Sequence, residues 1–490
     1  MSELVTTPSA APPDRASDAR PARREHLEGR VGVIELVLTV LAWSAPIVVV
    51  TAFTPIIVIY GGVGAPLAYA VSMGVLLLFA VGYIAMTNHI SNPGAFYAYI
   101  TQGLGRVPGL GASLVALLSY YLMGLGTYTF FGAMTSSVVA EVLGGPTLSW
   151  HVYTLGGIFL VGTLGYFRID LSAKVLGVAM LLEVLIVLIF DAAVFFQGGE
   201  HGLALDSFAP SSLSSSGAPI AILFAATCFG GFEATAIFRE ETKDPRKTVS
   251  RATFAAVLSI GVFYILATWC LIAAYGSDKA LGAATSDPVG MFPAAVTRFV
   301  GAWASDAVSI LVVTSAAAAT LACQNIMSRY SFSLGVDRVM PSVLGRVHPR
   351  HHSPYVSSLA VTALMTISVF VLWNQDPLAL YGRIAGTGGF GVMLLMTLTS
   401  VAVVVFFRRR GNLGSAVWQT LVAPVASALG MAVVLYLALT HFKLMTGGST
   451  REAILYQVLV WGVLAFGMLL ALFYRAKRPE VYARIGRQRG

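Results

Sequence analysis

The chain has 490 residues, of which 57% are hydrophobic and 11% charged, with a mean hydropathy of +0.78. A soluble chain carries roughly a quarter charged residues, and a water-soluble domain of this length could not hide so much apolar surface, so lipid is the solvent. Three cysteines, Cys228, Cys270 and Cys323, all lie in apolar stretches without metal-like spacing, which argues against both a disulfide framework and a zinc site.

Only helices and closed barrels satisfy their backbone in hydrocarbon, and apolar runs of ~20 residues without alternation are helices rather than barrel strands. Residues 1–30 are polar and rich in Pro, Ala and Arg, the composition of a disordered tail. Candidate spans follow at 32–60, 65–87, 108–141, 152–168, 172–196, 218–239, 249–275, 303–333, 355–374, 380–407, 416–441 and 453–474. With the amino terminus inside, the tails and inner loops hold 26 of the 31 Lys and Arg, leaving Lys279, Arg298, Arg383, Lys443 and Arg451 outside. That asymmetry is what the positive-inside rule demands. It predicts twelve spans with both termini cytoplasmic, in a cell (inner) membrane, and it accounts for the net charge of +8 without nucleic-acid binding.

Two spans are interrupted. Span 1 carries Pro46 in its middle, which removes a donor and clashes with the preceding turn. Span 6 carries Gly230-Gly231 at mid-depth. Interrupted helices five spans apart point to an inverted-repeat transporter with its site at the midplane. The expected organisation is a first repeat of helices 1–5 over residues 31–197, a second of helices 6–10 over 217–410, two extra helices over 411–475, and a cytoplasmic tail over 476–490. Carbonyls freed at Ser44-Ala45 and at Thr227, Cys228, Phe229 and Gly230 would hold an ammonium group, and a carboxylate would face the donors of Ile47 and Val48.

Several stretches stand in a familiar order and spacing. Gly32-Val33-Ile34-Glu35-Leu36 opens span 1, and Asn92-Pro93-Gly94-Ala95-Phe96-Tyr97-Ala98-Tyr99 follows span 2. Phe229-Gly230-Gly231-Phe232-Glu233 precedes Glu240-Glu241-Thr242-Lys243-Asp244-Pro245-Arg246. Asn325, Arg329 and Tyr330 precede Asp337-Arg338-Val339-Met340-Pro341 and His348-Pro349. Over residues 32–475 the chain resembles the amino acid–polyamine–organocation superfamily. The resemblance implies an all-α, LeuT-like fold of twelve helices: a five-plus-five inverted repeat with broken helices 1 and 6, plus two extra helices. It also implies transport of a small amino acid or organic amine by alternating access. There are departures: Ala95 replaces a family Gly, and Ser44-Ala45-Pro46-Ile47 stands where relatives place a Gly-Ser/Thr-Gly triplet. Pro46 suits the first position of a half-helix, whose free N–H groups attract an anion. The missing glycines bring amines without a carboxylate into consideration.

Among intramembrane ionisable residues, Glu35, Glu141, Asp191 and Asp306 lie near span ends, where interfacial or capping roles are expected. Glu183 sits twelve residues into span 5 among apolar neighbours. On the resemblance it points toward the place sodium occupies in sodium-coupled relatives, and Ala316-Ala317-Ala318-Ala319 stands where their Ser/Thr pair would be, so proton coupling through Glu183 is expected. Glu233 resembles the family's span-6 glutamate, which links substrate occupancy to gating. Met123 and Thr127 share a face at i, i+4 spacing and match pocket positions of the family. His348, His351 and His352 read as a solvated loop, and no metal or cofactor is expected. An enzyme is excluded because His89, near Asn88 and Asn92, lacks a clustered nucleophile–base set. Alternatives to a proton-coupled transporter are an exchanger or facilitator of a polyamine or amino alcohol without ion coupling, and a substrate sensor on the same fold. The expected partners are thus a small-molecule substrate, protons and the bilayer. In intact cells, cysteine placed at Ser214 should react with an impermeant maleimide and cysteine at Ser342 should not; the reverse pattern contradicts the orientation.

Overall fold

The structure is a computed structural model, and it describes residues 32–486 apart from 91–94, 168, 204, 214–215, 237–241, 243 and 352. The expected tail 1–30, the labelling position Ser214, the signature residues Asn92-Pro93-Gly94, Glu240-Glu241 and Lys243, and His352 therefore lie outside the described residues.

The regular elements are helices. Helix α1 (Val33–Ser44) stops at Ala45, and α2 (Pro46–Val48) restarts on Pro46 and runs through a π-helical turn, Val49–Phe53, into α3 (Thr54–Gly61). Gly62, at φ 56°, redirects the chain into α4 (Ala65–Thr87). The short α5 (Ala95–Leu104) precedes α6 (Arg106–Glu141), α7 (Trp150–Phe167) and α8 (Ile169–Gln197). Helix α9 (Ala218–Thr227) ends in a turn that leads to a 3-10 segment, Phe232–Ala236. Then come α10 (Pro245–Tyr275), α11 (Ala280–Ser286), α12 (Met291–Phe299), α13 (Ala302–Val336), α14 (Tyr355–Val371) and α15 (Pro377–Arg410). Helices α16 (Ala423–Thr440), α17 (Phe442–Thr446), α18 (Thr450–Lys477) and α19 (Pro479–Arg484) complete the chain.

Eight stretches among the described residues are long and apolar enough to cross a bilayer. The first, Pro46–Thr87, has 42 residues and turns at Gly62, so it holds the second part of expected span 1 together with the whole of expected span 2. Ala218–Thr227 and Tyr355–Val371 are apolar but shorter. The expected spans 1 and 6 are each cut by an interruption, so no uninterrupted helix there reaches bilayer length. The protein is an integral membrane protein of several helices, and its large apolar side chains on α8 and α18, among them Leu182, Leu185, Phe196, Leu455 and Leu469, lie exposed where lipid would cover them.

Helix α6 is the axis of the bundle, packing against α5, α7, α13, α15 and α18. Small residues allow those approaches, as is common between membrane helices: a methyl group on Gly467 would lie 2.7 Å from the Cα of Gly111, and one on Gly388 would lie 2.6 Å from the Ser119 carbonyl oxygen. Glu35 caps its own helix, accepting the Gly32 N–H at 2.9 Å. Asp191 differs from expectation. It is 8% exposed, and neither carboxyl oxygen has a hydrogen-bond partner among the described residues. Distance to the end of a span, counted along the sequence, does not say which face a side chain occupies; Asp191 faces the bundle, with Cys270 of α10 bonded to its carbonyl oxygen.

Candidate functional site

The two interruptions meet. Ala45 takes a left-handed conformation (φ 45°, ψ 64°), which costs a residue with a Cβ about 1–2 kcal/mol. It is held there because Pro46 restarts the helix with its fixed φ and Ser44 is tied across the gap: the Ser44 hydroxyl donates to the Gly230 carbonyl at 3.1 Å. On the other side, the Tyr264 hydroxyl of α10 donates to the Ser44 carbonyl at 3.4 Å. In span 6 the Gly231 backbone is at φ 110°, and the space a Cβ would need is filled by the indole of Trp43. No other residue type fits both the angle and the contact.

Buried carboxyls fix both interruptions. Glu233, fully buried, accepts the Gly231 N–H at 2.8 Å and the Tyr120 hydroxyl at 2.8 Å, while its own carbonyl accepts the Tyr83 hydroxyl at 3.0 Å. Glu183, 1% exposed on α8, accepts the Ser315 hydroxyl of α13 at 2.7 Å. The backbone N–H of Ile47, in the first turn after the span-1 interruption, bears on the same carboxyl. A donor that the sequence offered to a substrate carboxylate is thereby turned toward the protein's own. Thr320 bonds the Ala317 carbonyl at 2.7 Å, and Ala316, Ala318 and Ala319, between Ser315 and Thr320, are buried.

The residues singled out from sequence divide into two groups. Ser44, Ala45, Thr227, Gly230 and Met123 gather at the interruptions: a methyl on Gly230 would stand 3.6 Å from the Thr227 carbonyl oxygen and 4.0 Å from the Met123 Cε. Ala45, Met123, Thr127, Thr227 and Gly230 are half-buried although their surroundings are core. Thr127 lies one helical turn from Met123, its hydroxyl on the Met123 carbonyl at 2.9 Å. Pro46, Ile47, Cys228 and Phe229 are buried, so their side chains pack. Phe229 stands edge-on to Tyr69 and Tyr264, and the Cys228 thiol donates to the Phe224 carbonyl at 3.3 Å. Among the described residues the carbonyls of Ser44, Ala45, Thr227 and Gly230 accept hydrogen bonds from Tyr264, Val49, Gly230 and Ser44. A carbonyl has two lone pairs, so each retains room for a further donor. Sequence reading missed Trp43, Tyr83, Tyr120, Tyr264 and Ser315, which hold the interruptions. In sequence the four aromatics are indistinguishable from packing residues, and Ser315 is one more small residue beside the alanine run.

The profile of a family described as "Amino acid permease" matches residues 35–464. This chain belongs to that family. The branched-chain amino acid permease BcaP of Bacillus subtilis is 22% identical over 435 residues, covering 86% of this chain and 87% of its own. The low-affinity putrescine importer PlaP of Escherichia coli is 25% identical over 422 residues, covering 83% and 88%. The human cystine/glutamate transporter is 24% identical over 333 residues, covering 64% and 62%. The relatives are thus permeases of amino acids and of a polyamine, which agrees with the resemblance read from the sequence. The geometry separates the two glycines. Gly230→Ala should keep wild-type thermal stability in detergent, since its methyl meets only ordinary contacts. Gly231→Ala should lower stability by about 1–3 kcal/mol, from the strained φ and the displaced indole; equal melting temperatures for the two variants would contradict this geometry.

Proposed function

We propose that this permease is a secondary active transporter of a small amino acid or organic amine, with alternating access around a site between the two interruptions and a proton carried on Glu183. The reading takes the twelve spans to be a five-plus-five inverted repeat with two added helices and both termini cytoplasmic. One observation carries it: the Glu183 carboxyl, deep in the bundle, is bonded to Ser315 and lies against the N–H of Ile47 at the span-1 interruption. A carboxyl at that depth is costly unless neutral or paired, and among the described residues no basic side chain is bonded to it. A proton is therefore the natural companion of its charge. Sodium is a poor candidate, because it needs several oxygen ligands, whereas Ser315 is engaged with Glu183, Thr320 with Ala317, and the residues between are alanines.

The substrates named for the two bacterial relatives share an ammonium group and differ in the carboxylate. At the interruptions the carbonyls of Ser44, Ala45, Thr227 and Gly230 are available as acceptors, while the Ile47 N–H bears on Glu183. That balance suits the ammonium end of either substrate and favours an amine that has no carboxylate to satisfy. Glu233 acts in this reading as a gating element, since its carboxyl fixes the turn at Gly231.

The test is uptake into proteoliposomes of labelled putrescine and labelled leucine. Wild type should accumulate one of them when a pH gradient, acid on the side of substrate addition, is imposed. Glu183→Gln should lose gradient-driven accumulation and retain counterflow. Accumulation by Glu183→Gln in response to the gradient removes Glu183 as the carrier, and a wild type that responds only to sodium removes proton coupling.

A further inference from the structure

After α18 the chain turns back onto the bundle. Arg478 breaks the helix (φ −141°, ψ 67°), α19 follows, Ile485 is 1% exposed, and Gly486 adopts φ 69°. The contacts of this segment are specific. The Gly486 N–H donates to the Tyr97 hydroxyl oxygen at 2.5 Å and to the Asp337 carboxylate at 3.2 Å, while the Tyr97 hydroxyl donates to the same Asp337 oxygen at 2.8 Å. Tyr97 lies on α5 and Asp337 ends α13; both are buried, at 0% and 2% exposure. Burial pushes the Asp337 carboxyl up to about 6, while the Tyr97 hydroxyl, the Gly486 N–H and Arg484 pull it down. The Arg106 guanidinium, opening α6, sits 5.3 Å over the Tyr482 ring. Tyr474, near the end of α18, donates to the Val339 carbonyl at 3.2 Å. A Cβ on Gly486 would lie 2.6 Å from a methyl of Thr101 on α5.

What α5 touches on its other side gives these contacts a consequence. The Tyr99 ring stacks on Tyr83 at 4.6 Å, and the Tyr83 hydroxyl holds the Glu233 carbonyl. Helix α5 also packs directly on the 3-10 segment Phe232–Ala236 that follows the span-6 interruption. A continuous set of contacts thus joins Gly486 to the turn at Gly231: Tyr97, the body of α5, Tyr99, Tyr83 and Glu233.

We propose that residues 479–486 are a clasp, docked between α5 and the end of α13, that restrains the segment 232–236 and so slows transport. The proposal rests on the transporter reading above for its effect on rate, and on the packing alone for the restraint. A segment that must move for the site to open on this side cannot do so freely while α5 is pinned, and release of the clasp removes about one net hydrogen bond, a factor of about five in an equilibrium.

Two variants test it: a chain ending at Arg478, and Gly486→Val, whose side chain meets Thr101 and whose φ a β-branched residue does not adopt. Each is compared with wild type by hydrogen–deuterium exchange of α5 and of residues 232–236, and by counterflow of labelled putrescine and leucine in proteoliposomes. Both variants should keep the bundle's protection, exchange about fivefold faster in those two segments, and show faster counterflow. Unchanged exchange there, in either well-folded variant, overturns the clasp. Faster exchange with unchanged or slower counterflow overturns its control of transport. If wild type moves neither probe, the transporter reading lacks its support, and the exchange data still decide the restraint.

Discussion

An α-helix interrupted at membrane depth leaves backbone groups without partners in a medium that supplies none, and most of what surrounds the two interruptions answers that one constraint. At Ala45 the solution is a left-handed residue between a serine that reaches across to Gly230 and a proline that restarts the helix. At Gly231 it is a glycine conformation with an indole packed into the missing side chain's place, and a glutamate folded back on the backbone N–H. Each interruption is completed by the other: Ser44 serves Gly230, and Trp43 fills the gap at Gly231. Separating the two would leave both unsatisfied.

The same constraint explains where the buried acids sit. Glu183 and Glu233 lie beside backbone N–H groups that the interruptions expose, at Ile47 and at Gly231. A carboxyl there both satisfies a donor and gains from its positive end. The two differ in what else holds them. Glu233 is closed in by Tyr120 and bound to its own turn. Glu183 has one hydroxyl partner from a different helix, so its bonding depends on how α8 and α13 sit relative to the interruption. In the proposed reading, a group whose surroundings change as helices move binds and releases a proton in step with that movement.

Features governed by local rules were legible in the sequence. Pro46 and the Gly230-Gly231 pair announce interrupted helices because their backbone chemistry is independent of context. Glu183 stands out because a charge amid apolar residues has few explanations. Features that depend on distant partners were not legible. Ser315 lies 132 residues from Glu183, and nothing about it marks it as the partner. Trp43, Tyr83, Tyr120 and Tyr264 read as bulk, since an aromatic that packs and one that also aims a hydroxyl look alike. Asp191 was misplaced for a related reason: depth can be counted along a span, but the face it presents is set by neighbouring helices. Met123, named from the family resemblance, stands beside Gly230, and Thr127, named the same way, bonds the Met123 carbonyl one turn along.

The central claim is that substrate occupies the space between the two interruptions, against Gly230. Thermal unfolding of the purified protein with a panel of amino acids and diamines, for wild type and Gly230→Leu, tests it most directly. A ligand at 100 times its dissociation constant adds about 2.7 kcal/mol to stability, so a binding compound should raise the wild-type melting temperature clearly. The account predicts that the same compound leaves a folded Gly230→Leu variant unshifted, because the leucine fills the space beside Met123 and Thr227. An undiminished shift in that variant would place the substrate elsewhere.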